Sequence, residues 1–225
     1  MKSRPTTRCR CDGRIERELR RQGYRAIAGV DEAGRGTLFG PVFAAAVILP
    51  PGHGIRGLRD SKELLPASRQ ELASEIRSNS VAWAVAQASS EEIDRINILQ
   101  ASRLAMKRAV MTLSTSADFL LVDAISVDLE VPQRGLIKGD ARVQSIAAAS
   151  ILAKVHRDAC MVEWDSVYPQ YGLARHKGYG TPEHLEALER FGPTPQHRAT
   201  FEPVRRLLAP RQLPIGFASA AEVGR

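Results

Sequence analysis

Three apolar runs in this chain close on acids. Ile27-Ala28-Gly29-Val30 runs into Asp31 and Glu32, Phe119-Leu120-Leu121-Val122 into Asp123, and the weaker Leu136-Ile137-Lys138-Gly139 into Asp140. A short apolar run suits a buried strand. An acid at its end then lies at the edge of a sheet, where water and cations reach it. Strands laid side by side would gather these ends, and clustered carboxylates repel unless a cation or proton neutralises them. Oxygen-only ligand sets suit Mg2+ or Mn2+, and two such ions about 3.5–4 Å apart serve phosphodiester cleavage. Gly34-Arg35-Gly36 follows directly. Its glycines let the backbone approach a ligand closely, and its arginine offers a planar cationic fork for phosphate. Residue types and spacing therefore point to metal-assisted chemistry on a phosphate ester and stop there. Any one such acid, taken singly, is better explained by solvation or turn capping.

Strand geometry separates the adjacent pair. Successive side chains in a strand point to opposite faces, so Asp31 and Glu32 share one ion only if the chain turns at Glu32. Asp31 is the firmer ligand, and Glu32 contributes after a turn or through its carbonyl.

The elements that must position these acids follow from the pattern. Residues 26–31 and 41–50 read as the first two strands, antiparallel because their connection is short. Residues 81–88 alternate as a third strand, 119–123 form a fourth, and 136–140 supply a fifth. Helices are expected near 14–22, 66–78, 89–113, 146–167 and 182–191, with a short one within 193–209. In the 89–113 helix, Ile96, Leu99, Met106, Val110 and Leu113 fall on one stripe at helical spacing. The core face of the 146–167 helix is expected to carry Ala148, Leu152, Val155, Ala159 and Val162. Residues 172–180 read as a glycine-rich loop.

The 225 residues suffice for one domain with a substantial core. The expected division is a basic N-terminal extension over 1–25, a catalytic domain over 26–211 and a flexible tail over 212–225. No run approaches the roughly 18 apolar residues of a membrane helix, and the basic N-terminus lacks a signal-peptide core. Three cysteines make no disulfide framework, so the cytoplasm is the expected compartment. Cys9 and Cys11 lack the second pair that would complete a zinc site. The spacings of His176, His184 and His197 fit loop hydrogen bonding better than zinc. The net charge of +7 and pI near 9.7 favour a polyanionic partner. Residues 1–25 hold nine Lys or Arg against three acids, so that segment is expected to add nonspecific DNA affinity.

Ala28-Gly29-Val30-Asp31-Glu32-Ala33-Gly34-Arg35-Gly36 resembles the signature of the type 2 ribonucleases H, in particular bacterial ribonuclease HII. Similarity continues in Gly40-Pro41-Val42, Asp60-Ser61-Lys62, Glu92-Ile93-Asp94-Arg95-Ile96-Asn97, Val122-Asp123 and Ile137-Lys138-Gly139-Asp140. It resumes over residues 145–157 and in His176-Lys177-Gly178-Tyr179-Gly180-Thr181, spanning roughly 26–208. The resemblance implies an α/β, RNase H-like fold: a central mixed five-stranded sheet flanked by helices, with a C-terminal helical extension. It implies cleavage of the RNA strand of RNA–DNA hybrids and nicking 5′ of single ribonucleotides in duplex DNA. It further implies products with 3′-hydroxyl and 5′-phosphate ends and a need for Mg2+ or Mn2+.

By the same resemblance Asp31, Glu32, Asp123 and Asp140 are the catalytic and metal-binding acids, with Asp158 a less favoured alternative to Asp140. The Gly34-Arg35-Gly36 backbone would sense the ribose 2′-hydroxyl, which is both donor and acceptor. Tyr179 would pack on the following deoxyribose. Ser61, Lys62, Lys177 and Arg198 are candidate phosphate contacts. A monomer is expected, and no pattern identifies a protein partner. An RNase H-fold nuclease preferring long hybrids and a catalytically silent binder are the competing readings. Thr37-Leu38-Phe39 departs from the family's Pro-Leu-Ala. Thr37 removes a φ restraint, and Phe39 is expected to add bulk beside the site.

Overall fold

Strand β1 (Ile27–Ala33) lies at the centre of the sheet because its first four residues, 27–30, are apolar or small on both faces. The computed structural model describes residues 11–52, 55–58, 61 and 64–209. β1 pairs antiparallel with β2 (Val42–Ile48), which pairs antiparallel with β3 (Ala82–Ala88). On its other side β1 runs parallel to β4 (Phe119–Asp123), which is parallel to β5 (Gln133–Leu136). The order β3-β2-β1-β4-β5 is a mixed five-stranded sheet, as expected. Parallel pairing sets the C-terminal ends of β1 and β4 side by side, with Val30 opposite Val122, and so aligns the two acids that follow. The fifth strand stops at Leu136, short of the expected 136–140. The chain then turns through Lys138, at φ 55°, into a 3₁₀ turn at Gly139–Ala141.

The named helices are α1 (Arg14–Arg21), α2 (Pro66–Asn79), α3 (Ser90–Met111), α4 (Gln144–Val167), α5 (Leu173–His176), α6 (Pro182–Phe191) and α7 (Glu202–Leu208). Alternation in the strands divides the core. Ala28, Val30, Ala44, Ala46, Leu120 and Val122 face α3, whereas Ala45 and Val47 face α2 and α4. A fully buried apolar side chain contributes about 1.5–3 kcal/mol. The alanines of β2 contribute less area but let helices lie close to the sheet. The closest approach is at Gly29, where a Cβ would stand 2.0 Å from the Ser145 carbonyl carbon. Only glycine lets α4 rest on β1 there.

Residues 145–153 of α4 are all buried. Beyond Lys154 the helix leaves the sheet, and its buried positions become Arg157 and Met161 rather than Ala159 and Val162, which are exposed. The straight-stripe expectation fails there because the helix exchanges one packing partner for another. α3 departs from its expected stripe as well. It breaks at Asn97 (φ 67°, ψ 163°), whose side chain accepts from Leu99 N (3.0 Å) and Gln100 N (3.1 Å) and restarts the helix. Ile93 is buried before the break, and Ala101, Ala105, Met106 and Val110 after it. Leu99 is only half-buried.

Two further parts pack on this layer. Leu38, Phe39, Met161, Tyr171, Leu173, Leu188 and Val204 form a separate core beneath α5–α7. Phe39 is therefore not beside the hollow of the acids. It is fully buried against Trp164, Tyr168 and His197. At the other end, α1 lies within the expected N-terminal extension yet docks on the domain. Leu19 joins Ile27, Phe119 and Ile146, and Glu16 Oε1 accepts from Ser145 N (3.0 Å) at the start of α4. Among the described residues no helix is long and apolar enough to cross a membrane.

Candidate active site

Asp31 and Asp123 project from neighbouring parallel strands onto the face covered by α4, and Asp140 reaches the same place from the 3₁₀ turn. One carboxylate oxygen from each lies within 4.8 Å of the other two. The turn is held there because Gly139 N donates to Asp123 Oδ1 at 2.7 Å. Asp31 is buried. Burial first, then the charges of Glu32 and Asp123, push its carboxyl well above the usual carboxylate range, against a hydrogen bond from Ser150. Three carboxylates so close, with no basic side chain among the described residues hydrogen-bonded to Asp31 or Asp123, form a donor set that fits a hard divalent cation.

Glu32 stands apart. β1 stays extended through Ala33, so there is no turn at Glu32, and its side chain lies outside the three-acid group. Its Oε1 meets Arg35 Nη1 at 3.2 Å, while Oε2 is buried with no partner among the described residues. Burial raises its pKa, and Arg35 opposes the rise. An orphaned carboxylate oxygen on the rim of an acidic cluster is a second indication that a cation belongs there.

Asp31, Glu32, Gly34, Arg35, Gly36, Ser61, Asp123 and Tyr179 line one hollow of about 250 Å³. Asp31, Glu32, Asp123, the glycine loop and the tyrosine, expected from separate parts of the sequence, thus meet, while Asp140 stands against Asp31 and Asp123 without lining the hollow. Tyr179 keeps 41% of its surface exposed on the lip of the hollow. Ser61 is buried, with its hydroxyl 3.0 Å from that of Ser150. Lys62 and Cys9 lie outside the described residues. Lys177 does not line the hollow. Its ammonium donates to Ala174 O, and its own carbonyl accepts from Arg157 Nη1 at 2.9 Å.

Lys154 and Ser150 also line the hollow, and neither was singled out in the sequence. The signal available was their place in the 145–157 block, one and two turns beyond the glycine contact. Lys154 is held by Asp158 (2.6 Å), and burial lowers its pKa. Asp158, the alternative fourth acid, is ion-paired to Lys154 and to Arg69 (3.2 Å) and lies outside the three-acid group. Arg198 also departs from expectation. It is fully buried rather than set out for phosphate, and its guanidinium donates to the carbonyls of Gly34, Arg35 and Gly40.

The three C-terminal histidines hold the tyrosine loop. Thr194 N donates to His197 Nδ1 (2.9 Å), which leaves the proton on Nε2 to be given to His184 Nε2 at 3.2 Å. His184 Nδ1 then donates to the Tyr179 carbonyl at 2.9 Å. His176 accepts from Gly178 N at Nδ1 (3.2 Å) and donates from Nε2 to Tyr171 O (2.7 Å). Every ring nitrogen in this set is used within the protein, as the spacing implied.

The ribonuclease HII family profile matches residues 28–204, which include all of these elements except α1, the first residue of β1 and the end of α7. The chain belongs to the ribonuclease HII family. It is 62% identical over 196 residues to the ribonuclease HII of Solibacter usitatus, covering 87% of this chain and 86% of that protein. Among solved structures, ribonuclease H2 from Pyrococcus horikoshii superposes with a TM-score of 0.69 at 27% identity, covering 81% of this chain and 97% of that one. The RNase HII of Archaeoglobus fulgidus, solved in a complex with PCNA, gives 0.66 at 25% identity, covering 79% and 95%. As a member of this family, the protein is an endonuclease that acts on RNA–DNA hybrids.

Proposed function

We propose that this ribonuclease H also nicks duplex DNA 5′ of a single embedded ribonucleotide, leaving 3′-hydroxyl and 5′-phosphate ends. The observation that carries the reading is a shared hollow. The Asp31–Asp123 edge, the Gly34–Gly36 backbone and the exposed ring of Tyr179 all face it. A cutting site flanked by a bare backbone on one side and an aromatic ring on the other can test two successive sugars, the first for a 2′-hydroxyl and the second for its absence.

In this reading Asp31, Asp123 and Asp140 hold Mg2+ or Mn2+, and Glu32 turns its unpartnered oxygen to the same ions. Bound there, such ions supply a nucleophile at neutral pH and stabilise the leaving oxygen. Arg35, Ser61 and Lys62 orient the phosphates beside the cut, and Lys177 supports the strand beyond Tyr179. The acid set serves cutting rather than retention, because acids alone repel a polyanion.

The test is a duplex carrying one ribonucleotide, set beside an all-DNA duplex and a long hybrid, each with Mg2+, Mn2+ or EDTA. The expected result is one metal-dependent nick 5′ of the ribonucleotide and none in all-DNA. Cleavage of the hybrid alone would restrict the enzyme to long hybrids. Asp123→Asn should lower the rate at least about a thousandfold while duplex binding persists. Full activity in that variant would remove Asp123 from the site.

A further inference from the structure

Arg157 and Arg198 are the two largest fully buried side chains among the described residues, and both sit behind the Gly34–Gly36 loop rather than in the hollow. Their partners are carbonyl and hydroxyl oxygens. Arg198 gives Nη2 to Gly34 O (2.7 Å), Nη1 to Arg35 O (2.8 Å) and Nε to Gly40 O (3.0 Å). Its own backbone N donates to Leu38 O (2.9 Å), and Gly40 N donates to Gln196 O (2.8 Å). The segment that carries it is fixed in turn by Asp94, which accepts from Ala199 N and Thr200 N. Arg157 gives Nη2 to Thr37 Oγ1 (3.0 Å), and that hydroxyl passes its proton to Gly34 O (3.0 Å). Its Nη1 holds Lys177 O (2.9 Å). Gly34, at φ 98°, lies directly on the Arg157 side chain, where a Cβ would fall 2.0 Å from Nε.

The peptide plane turns this arrangement into a statement about recognition. In a trans peptide the carbonyl of one residue and the N–H of the next point in opposite directions. Drawing the Gly34 and Arg35 carbonyls back onto Arg198 turns the N–H groups of Arg35 and Gly36 the other way. Neither N–H has a hydrogen-bond partner within the described chain. Both lone pairs of Gly34 O are already taken, by Arg198 and Thr37. The loop thus offers donors, and the matching group on a substrate is an acceptor such as a sugar 2′-oxygen or a phosphate oxygen.

We infer that Arg198 and Arg157 are positioning residues for sugar discrimination: Arg198 orients the loop's amides, and Arg157 fixes that loop against the one bearing Tyr179. The inference rests on the ribose-sensing reading above and adds to it the residues that set the geometry. It requires three-point geometry, not merely positive charge. Lysine at 198 keeps the charge but has one nitrogen, which cannot hold three carbonyls of the loop in a fixed fan.

The test compares the wild type with Arg198→Lys, Arg198→Met and the milder Thr37→Val, which removes only the hydroxyl relay. Binding to a one-ribonucleotide duplex and to the all-DNA duplex is measured in EDTA, and nicking in Mg2+, all below the unfolding temperature of each variant. Both Arg198 variants should bring the two affinities together and slow nicking about a hundredfold, the order expected when reacting groups are misplaced by about 1 Å. Affinity for all-DNA should stay within about twofold, since phosphate contacts dominate it. Thr37→Val should lose part of the preference. Wild-type discrimination in Arg198→Lys would overturn the proposal in favour of charge alone. A parallel loss of all-DNA affinity in every variant would reduce the arginines to general structural supports. A wild type that binds both duplexes equally would overturn the ribose reading itself, and this inference with it.

Discussion

Two buried charged groups of opposite sign flank the Gly34–Gly36 loop, and they are satisfied in opposite ways. The acids on the sheet edge leave Glu32 Oε2 without a partner among the described residues, and burial, then neighbouring acid charge, raises the pKa of Asp31 and of Glu32. The guanidiniums of Arg157 and Arg198 are instead held by protein carbonyls and the Thr37 hydroxyl. Burial and then the charge of Arg157 bring Arg198 down only to about 9, so it remains cationic at neutral pH. A buried carboxylate cluster without a cation costs stability, whereas Arg198, with all three guanidinium nitrogens hydrogen-bonded, is set in place, and Arg157 is held by two of its three, its Nε being buried without a partner among the described residues. The acids await something from solution, and the arginines hold something already present. The first arrangement is suited to chemistry, the second to shape.

The sharpest way to break this comparison is a substitution that separates activity from stability. Asp31→Asn removes one charge from the repelling set and keeps the side-chain volume. Nicking should fall at least about a thousandfold, yet in EDTA at pH 8 the variant should melt a few degrees above the wild type. About 1 kcal/mol of relief corresponds to about 2–4 °C for a chain of this size. Adding Mg2+ or Mn2+ should raise Tm in the wild type more than in the variant. Calorimetry with and without EDTA reads both effects. A lower Tm in metal-free Asp31→Asn would mean that the acids stabilise the fold, and the contrast with the arginines would collapse.

A smaller effect separates the two sides by pH. Burial, then the adjacent His184, lowers His197 to about 3, and burial lowers His184 to about 4. Both lie below the unfolded value near 6.5, so the unfolded chain binds protons first. Their contribution is complete above about pH 6.5 and is lost as pH falls towards the folded values. The raised acids have the reverse sign: without metal, their burden on stability eases as pH falls. The histidine relay ends on the Tyr179 carbonyl, so acid should loosen the tyrosine loop while the acid edge relaxes. Protection of the amides at residues 176–180, taken relative to their intrinsic exchange rates, should fall from pH 6.5 to 4.5, and His184→Gln should flatten that dependence. Unchanged protection across the window would remove the relay from the account.

The acid edge was legible in the sequence because strands announce themselves locally. An apolar run and the acid that ends it are neighbours in the chain, and parallel pairing brings two such ends together without further information. Asp140 was legible only through its motif, since it stands on a turn beyond β5 rather than on the strand that its apolar neighbours suggested. The loop's support was not legible. Arg198 meets Gly34 across 164 positions, and nothing local distinguishes a basic residue that will be buried among carbonyls from one that will meet phosphate. Thr37 was visible as a departure from the family pattern, but its hydroxyl bond to Arg157 depends on the path of α4. The break at Asn97 was hidden too, because a helical stripe on both sides of a kink reads as one helix.

The smallest effect concerns what holds the acid edge from the N-terminal side. α4 begins at Gln144 with no side-chain cap of its own, because its N-cap residue is Val143. Glu16 of α1 supplies the missing acceptor, taking Ser145 N at 3.0 Å and its hydroxyl at 3.1 Å, with its negative charge near the positive end of the helix. The same stretch of α4 rests on Gly29 and follows the turn that bears Asp140, so Glu16 steadies the third acid from outside the strand layer. Glu16→Ala should cost about 0.5–2 kcal/mol, the usual loss of a helix cap. Glu16→Gln should cost less, since it keeps the acceptor and gives up only the charge. Nicking should fall less than about tenfold in either, with the metal concentration for half-maximal rate rising in step with the loss of stability. If Glu16→Ala left both stability and metal requirement unchanged, α1 would be a passenger on the domain. The acid edge would then be organised wholly by the strands that first revealed it.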